Sequence, residues 1–108
     1  MYMNKSQEAD PFRDDIDKTT GLLLLEFGAS WCPNCKAIAP LVAALLDEHP
    51  DVRHITIEDG PGKPLGRSFG VKIWPTLCFL RDGQVIEILV RPTRNAIEEG
   101  FQSFTRQA

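Results

Sequence analysis

The hydrophobic pattern of this chain combines one short, continuous apolar run with a longer stretch of helical spacing. Residues 22–27 are apolar except for Glu26 and have a glycine on either side, which is typical of a strand buried on both faces of a sheet. Residues 32–48 predict an amphipathic helix, because apolar residues recur there at i, i+3, i+4, i+7 and i+8. These apolar positions are Ile38, Leu41, Val42, Leu45 and Leu46. Pro40 lies inside this helix, where we expect it to cause a bend.

Three more strands follow from shorter patterns. Residues 52–57 and residues 76–80 are each rich in apolar and β-branched side chains, which favours strands. Residues 84–90 have the same character and follow the turn residues 81–83, Arg-Asp-Gly. A run of this kind after an Asp-Gly pair predicts an antiparallel hairpin.

Three shorter helices are also predicted. The first begins with Asp10 as the cap and Pro11 at the first helical position, and it places Phe12 and Ile16 on one face. Residues 63–69 form at best a short, weak helix. In the last helix, Asn95 and Glu98 have the spacing of a capping box. The apolar stripe of that helix is Ile97, Phe101 and Phe104.

The order of these elements indicates an α/β fold. A strand, a long helix and a second strand in succession imply parallel pairing with a right-handed crossover. The chain has 108 residues, which suits one domain. We therefore expect a single domain over residues 1–108, with residues 1–9 as a loose arm.

Composition and charge exclude several classes of partner. The formal net charge is −3, so the chain lacks the concentrated basic surface that nucleic acids require. The longest strongly apolar stretch, residues 22–25, is far shorter than the roughly 20 residues that span a bilayer. Residues 1–15 contain no apolar segment typical of a secretory signal. We therefore expect a cytoplasmic protein with no nucleic-acid or membrane partner.

The cysteines point to redox chemistry. Cys32 and Cys35 form a C-x-x-C at the predicted junction between the first strand and the long helix. Main-chain N–H groups at a helix N-terminus favour a thiolate, and Pro33 suits the first turn because it needs no hydrogen-bond acceptor. Lys36 is either a nearby cation for that thiolate or a solvated helix residue. One sulfur can attack a partner disulfide, and the other can resolve the mixed disulfide.

The same motif also permits a structural or metal-binding pair, but zinc requires about four ligands. Cys78 lies within an apolar strand, and we expect it to be a small, buried hydrophobic residue. His49 and His54 have no paired spacing, and we expect them at the surface around the helix-to-strand turn. No metal site is therefore predicted.

A specific set of residues and separations extends beyond the C-x-x-C pair. The set is Glu26, Phe27, Ala29, residues 31–36 (Trp-Cys-Pro-Asn-Cys-Lys), residues 38–40, Gly70, Val71, Pro75, Thr76 and the Asp82-Gly83 turn. On these residues the chain resembles the thioredoxin family from about residue 11 to residue 104. The resemblance implies a thioredoxin-like three-layer sandwich, in which helices flank a central mixed sheet of four or five strands.

The resemblance also implies an activity and its residues. Cys32 would be the exposed nucleophile and Cys35 the buried resolving thiol in dithiol–disulfide exchange on protein substrates, and the two would form a redox disulfide. The enzyme would be a monomer without a bound cofactor, recycled by a separate reductase. The implied substrate groove consists of Trp31, Pro33, Asn34, Trp74, a cis Pro75 and Arg91.

Glu26 would match the family's buried acid beneath the second cysteine, a position usually held by Asp. Burial favours the neutral form of a carboxyl, which suits a proton relay to Cys35. From the residues alone, Glu26 is equally an acid at the end of a strand that reaches water. Likewise, Trp31 and Trp74 are either core aromatics or the lining of a groove.

The chain departs from the family pattern in four places. Pro33-Asn34 replaces the usual Gly-Pro, Trp74 replaces a smaller aliphatic residue, and Arg91-Pro92 replaces a glycine on the binding face. The family's first strand has little room, unless Met1 to Lys5 form a short edge strand. Asn34 can donate a hydrogen bond to the thiolate, but a neutral amide is a weaker partner than a cation. We therefore predict an intermediate redox potential, less reducing than that of a typical thioredoxin.

Two other functions stay open. One is an extracytoplasmic oxidant, isomerase or maturation reductase, which a signal or tether in the full gene would indicate. The other is a partner-binding module whose redox role is secondary, which the altered groove residues permit. A Cys32→Ser variant that keeps its biological effect would favour the second.

Overall fold

The computed structural model describes residues 10–106, and within them the chain forms four strands and four helices. In chain order these are α1 (Arg13–Asp17), β1 (Leu22–Gly28), α2 (Pro33–Glu48), β2 (Val52–Glu58), α3 (Pro64–Ser68), β3 (Thr76–Arg81), β4 (Gln84–Val90) and α4 (Arg94–Arg106). The alternation of strands and helices is the α/β order that the hydrophobic pattern predicted.

The strands form one mixed sheet in the order β2-β1-β3-β4. β1 is parallel to β2, with Leu22 opposite Val52, and antiparallel to β3. β3 and β4 form the predicted antiparallel hairpin. All seven residues of β1 are buried, which agrees with a central strand covered on both faces. The possible edge strand from Met1 to Lys5 and the loose arm 1–9 lie outside the described residues.

Alternate side chains of β1 supply two cores, one on each face of the sheet. Leu22 and Leu24 pack against α2 and α4, which contribute the buried side chains of Val42 and Phe101, respectively. The opposite face of β1 packs with α1 and α3 through Leu23, Leu25, Phe27, Ile16 and Leu65. Helices therefore cover both faces, and the predicted three-layer sandwich is confirmed.

Two of the predicted helix starts are wrong. α1 begins at Arg13 rather than Pro11, because the Asp15 carboxylate accepts the N–H of Phe12 at 3.1 Å and forms the cap there. Ile16 is buried as expected, but Phe12 is 78% exposed.

In α4 the cap is Thr93, not Asn95. The Oγ1 atom of Thr93 accepts the N–H of Ala96 at 3.2 Å. Glu98 instead forms an ion pair with Arg94 at 3.3 Å. The predicted apolar stripe of this helix is nevertheless buried.

Candidate active site

The C-x-x-C pair lies at the N-terminus of α2, as the spacing predicted. Cys32 is the N-cap residue, and its Sγ accepts the backbone N–H of Cys35 at 3.2 Å. Pro33 occupies the first helical position. Cys32 is only 5% exposed, so the expectation of an exposed nucleophile is wrong, and Cys35 is fully buried as expected. A sulfur that accepts a main-chain N–H at the positive end of a helix is stabilised in its anionic form.

The loop that presents Cys32 is held by an acid from β2. The backbone N–H of Ser30 donates to the Glu58 carboxylate, at 3.1 Å from Oε1 and 3.3 Å from Oε2. The N–H of Cys32 donates to the carbonyl of Ala29 at 3.1 Å. The short segment between β1 and α2 is therefore fixed before the first cysteine. Sequence reasoning missed Glu58, because this contact depends on the pairing of β1 with β2.

Pro75 and its neighbours form a second loop beside the cysteines. The Trp74–Pro75 peptide bond is cis, as the resemblance implied. The carbonyl of Pro75 accepts the N–H of Arg91 at 2.7 Å, and the Nε of Arg91 donates to the carbonyl of Trp74 at 3.1 Å. Arg91 therefore links the end of β4 to this loop by two hydrogen bonds. Its own backbone has a positive φ of 45°.

Trp74 connects the two loops. Its side chain packs against the buried cluster formed by Ala29, Cys32 and Cys35. The Trp31 ring meets the Trp74 ring edge to face, with centroids 5.5 Å apart. Trp31 is 67% exposed, so it is not a core aromatic. The two indoles line the surface beside the dithiol.

The Trp74 indole is held by a residue that sequence reasoning took for turn chemistry alone. Its Nε1 donates to Oδ2 of Asp59 at 2.8 Å. Asp59 directly follows β2, and its own N–H donates to the carbonyl of Gly28 at the end of β1. No linear motif joins Asp59 to Trp74, because the contact arises only when the sheet forms.

Glu26 is fully buried in β1, so the alternative of an acid at the end of a strand that reaches water is wrong. By alternation it faces the same side of the sheet as Leu24, which is the side covered by α2. Its Oε1 lies 2.8 Å from Nε2 of His54, whose side chain is 25% exposed. The prediction of His54 as a surface residue of the turn was therefore wrong. The register of β1 with β2 is the signal that would have found it.

Two predicted residues lie on the exposed side of the first turn of α2. Asn34 and Lys36 are both exposed. Within residues 10–106 the Lys36 ammonium forms no ion pair or side-chain hydrogen bond, although its backbone N–H donates to the carbonyl of Cys32 at 3.1 Å. Its influence on the thiolate stays a prediction.

Cys78 lies in the interior of β3, away from the other two cysteines. It belongs to the core between the sheet and the α1 and α3 helices. Burial raises the pKa of its thiol to about 12, and the positive charge of Arg13 opposes part of that rise. Such a thiol stays protonated and inert near neutral pH.

Neither a metal centre nor a membrane helix is found in the described part of the chain. No group of three or more His, Cys, Asp or Glu residues among residues 10–106 is arranged to hold a metal ion. No helix in that range is both long and apolar enough to cross a bilayer.

Comparison with known proteins agrees with this geometry. The thioredoxin family model matches residues 3–103. The chain is a member of the thioredoxin family. A thioredoxin of Chlamydia muridarum is 36% identical over 78 residues, which cover 72% of this chain and 74% of that protein. An H-type thioredoxin of Ricinus communis is 30% identical over 81 residues, covering 75% of this chain and 69% of that protein.

A solved thioredoxin has the same fold. The reduced form of thioredoxin 2 from Pseudomonas aeruginosa PAO1 superposes with a TM-score of 0.80 at 46% identity, covering 92% of this chain and 93% of that one. Because the chain belongs to the thioredoxin family and carries the C-x-x-C at the start of α2, it is a thiol–disulfide oxidoreductase.

Proposed function

We propose that this protein is a cytoplasmic, monomeric reductant of disulfides in other proteins, and that a separate reductase recycles it. The observation that carries the proposal is the position of Cys32. Its sulfur caps α2, accepts the N–H of Cys35 and lies beside the Trp74–Pro75 loop. An attacking thiolate, a resolving thiol and a loop for an extended substrate are therefore adjacent.

The reaction takes place in two displacements. The Cys32 thiolate attacks one sulfur of the substrate disulfide, which forms a mixed disulfide and releases the first substrate thiolate. Cys35 then attacks Cys32, which forms the Cys32–Cys35 disulfide and releases the second substrate sulfur. The substrate gains two electrons and two protons. The recycling reductase returns two electrons and two protons to the enzyme.

Glu26 and His54 supply a route for the proton in the second step. Cys35 must lose its proton before it attacks Cys32, and it is fully buried. Glu26 lies in the sheet layer directly beneath α2 and contacts His54, which is partly exposed. A carboxyl that exchanges a proton with Cys35 can therefore pass it toward solvent through the imidazole.

The residues that differ from the usual thioredoxin pattern affect the redox potential, which decides whether the protein reduces or oxidises its partners. Asn34 and Lys36 are exposed on the first turn of α2, and the Cys32 sulfur accepts the backbone N–H of Cys35. We therefore keep a potential between that of thioredoxin, about −270 mV, and that of the oxidant DsbA, about −120 mV. Equilibration of the protein with glutathione buffers measures it.

The cytoplasmic assignment suits a dithiol that must stay reduced, because cytoplasmic thiol pools keep cysteines in that state. Rapid acid quenching of cells, alkylation and gel separation report the redox state of Cys32 and Cys35 in place. A mostly reduced pair supports the reductase, and a mostly oxidised pair indicates the extracytoplasmic oxidant.

The catalytic claim is tested by reduction of insulin with dithiothreitol as the electron source. We expect the native protein to accelerate the reaction and Cys32→Ser to abolish the acceleration. Cys35→Ser should accumulate a mixed disulfide with the substrate. Cys78→Ala is the matched control, because it removes a cysteine outside the site and should keep the activity. Full activity of Cys32→Ser would overturn the proposal and favour a binding module.

A further inference from the structure

Three positively charged side chains line a small cavity beside the catalytic site. It has a volume of about 230 Å³ and lies between the end of β2, α3 and the segment that leads to Pro75. Its charged lining residues are Lys63, Arg67, Lys72 and Asp59, and Trp74 forms one wall. Three cations face one carboxylate here, although the whole chain carries a net charge of −3.

Two of these cations lack a protein partner in the described part of the chain. Lys63 forms an ion pair with Asp10 at 3.5 Å, and the Asp59 carboxylate accepts the Trp74 indole N–H. The Arg67 and Lys72 side chains form no ion pair or hydrogen bond with any residue in the range 10–106, and both residues are exposed. Their charges are therefore available to an anionic ligand.

The cavity and the dithiol share a wall. Trp74 lines the cavity and also packs against the cluster that contains Cys32 and Cys35. A substrate segment that lies along the Pro75 loop, with its disulfide at Cys32, therefore passes over Trp74. Residues next to the substrate cysteine then reach the cavity.

We propose that this cavity binds the carboxylate of an acidic side chain next to the disulfide of the substrate protein, which makes Arg67 and Lys72 determinants of specificity. This inference rests on the proposed reductase function. The size of the cavity supports a side chain as its occupant, because sites for whole small molecules usually measure about 300–1,000 Å³. Asp and Glu side chains are small enough, and they complement the two unpaired cations.

Synthetic disulfide peptides test the inference with the full chain. One peptide carries Glu on both sides of the cysteine that is attacked, and its partner carries Gln at the same positions, with amidated C-termini in both. Exposed ion pairs contribute up to about fivefold each in affinity. We therefore expect the Glu peptide to be reduced about fivefold faster at low salt, with the ratio falling toward one at high salt.

A charge-matched pair of double variants locates the effect. Arg67→Gln with Lys72→Gln should bring the ratio of the Glu rate to the Gln rate close to one. Arg53→Gln with Lys18→Gln removes the same charge at exposed positions and should keep the ratio. Arg53 is suitable because it pairs with Leu23, at the end of the sheet remote from Cys32.

Each contrary result has a separate meaning. Equal rates for the two peptides with the native protein would overturn the inference, and so would an equal loss of the ratio in both double variants. A third peptide has Gln at both positions and a free C-terminal carboxylate. If it alone is accelerated, the occupant is a chain terminus and the assignment to a side chain fails. If no peptide is reduced by the native protein, the proposed function itself has failed.

Discussion

The Nε2 atom of His54 lies 2.8 Å from Oε1 of Glu26, and this contact joins a fully buried carboxyl to a partly exposed ring. The two residues lie on the parallel strands β1 and β2. Glu26 is opposite Thr56, and His54 is two residues earlier on the same face of β2. Because the carboxyl is completely covered, the imidazole is a connection between it and solvent.

Replacement of Glu26 by Gln should slow the second displacement. The amide keeps the size of the side chain and an accepting oxygen, but it cannot take up a proton from Cys35. We expect the release of substrate from the mixed disulfide to slow by about a hundredfold or more, because general base catalysis contributes about 10²–10⁴-fold. The first displacement should keep its rate. Stopped-flow fluorescence of Trp31 and Trp74 separates the two steps.

Thr56→Val is the matched control for that variant. Thr56 is buried opposite Glu26, and its Oγ1 has no hydrogen-bond partner among residues 10–106. Replacement of its hydroxyl by a methyl group therefore removes no hydrogen bond and should leave both steps unchanged. Equal second-step rates for Glu26→Gln and Thr56→Val would contradict a proton role for Glu26.

Loss of the ring of His54 should also reduce stability. His54→Ala removes a hydrogen-bonding partner of a buried carboxyl, and such a loss costs about 1–3 kcal/mol in the free energy of unfolding. Urea denaturation measures the change. Arg53→Ala, at the exposed neighbouring position in β2, should cost less than about 0.5 kcal/mol. Similar losses for the two variants would show that the Glu26 contact contributes little.

Gly66→Ala should disturb the site more than the fold. A Cβ atom at Gly66 would collide with the Asp59 carboxylate that holds the Trp74 indole. The short Asp59 side chain can rotate away, and Ala favours the helical conformation by about 1 kcal/mol over Gly. We therefore expect little change in unfolding free energy, but loss of the hydrogen bond to Trp74. The NMR signal of the Trp74 indole proton reports that loss.

A double-mutant cycle with Asp59 checks the cause. In Asp59→Ala the acceptor is already absent, so adding Gly66→Ala should not shift the Trp74 indole signal further. An additional shift in the double variant would mean that Gly66→Ala acts on Trp74 by another route.

Elements set by local pattern could be predicted from the sequence. The apolar run that became β1, the helical spacing after Cys32 and the Asp82-Gly83 turn each determine their structure within a few residues. The chemistry of Cys32 and Cys35 was also accessible, because the motif and its position at a helix start are both local. The resemblance supplied the cis peptide bond at Pro75, which spacing alone does not show.

Contacts between strands and loops could not be predicted in the same way. Asp59 reaches Trp74, and Glu26 reaches His54, only after β1 and β2 pair in one particular register. The helix caps failed for a different reason. Several polar residues near each helix start are able to cap it, and at α1 the side chain of Asp15 was selected over that of Asp10.

Cys78 should make the protein less stable at alkaline pH. The pKa of its thiol is raised from 9.0 to about 12 in the folded protein, so from about pH 9 the unfolded chain loses this proton while the folded chain keeps it. The unfolded state then binds fewer protons, and stability falls as pH rises toward 12. Cys78→Ala should lose less stability than the native protein between pH 8 and about pH 10. Urea denaturation at the two pH values measures the difference.

Cys78→Ala also loses packing contacts, but this loss does not affect the comparison of stability between the two pH values. A missing sulfur lowers the unfolding free energy by the same amount at both pH values, so only the change with pH is compared. Parallel declines for the two proteins would show that folding does not raise the pKa of the Cys78 thiol above its value in the unfolded chain.

Alanine substitutions at Gly62 and Gly83 distinguish the stability cost of an unfavourable backbone conformation from the cost of a steric clash. Both have positive φ, 81° at Gly83 and 78° at Gly62. An added Cβ at Gly62 meets nothing, whereas at Gly83 it would strike the carbonyl of Asp17. Gly62→Ala should therefore cost about 1 kcal/mol for its backbone conformation alone. Gly83→Ala should cost about 2 kcal/mol more, because the β3–β4 turn must move away from the end of α1.

Activity distinguishes a local effect from a general one in these two variants. The β3–β4 turn lies at the end of the sheet where β1 begins, since Arg81 is opposite Leu22, and Cys32 follows the other end of β1. Gly83→Ala should therefore lower the unfolding free energy in urea while the folded molecules reduce insulin at the native rate. Equal stability losses for Gly62→Ala and Gly83→Ala would mean that the turn and α1 separate without cost.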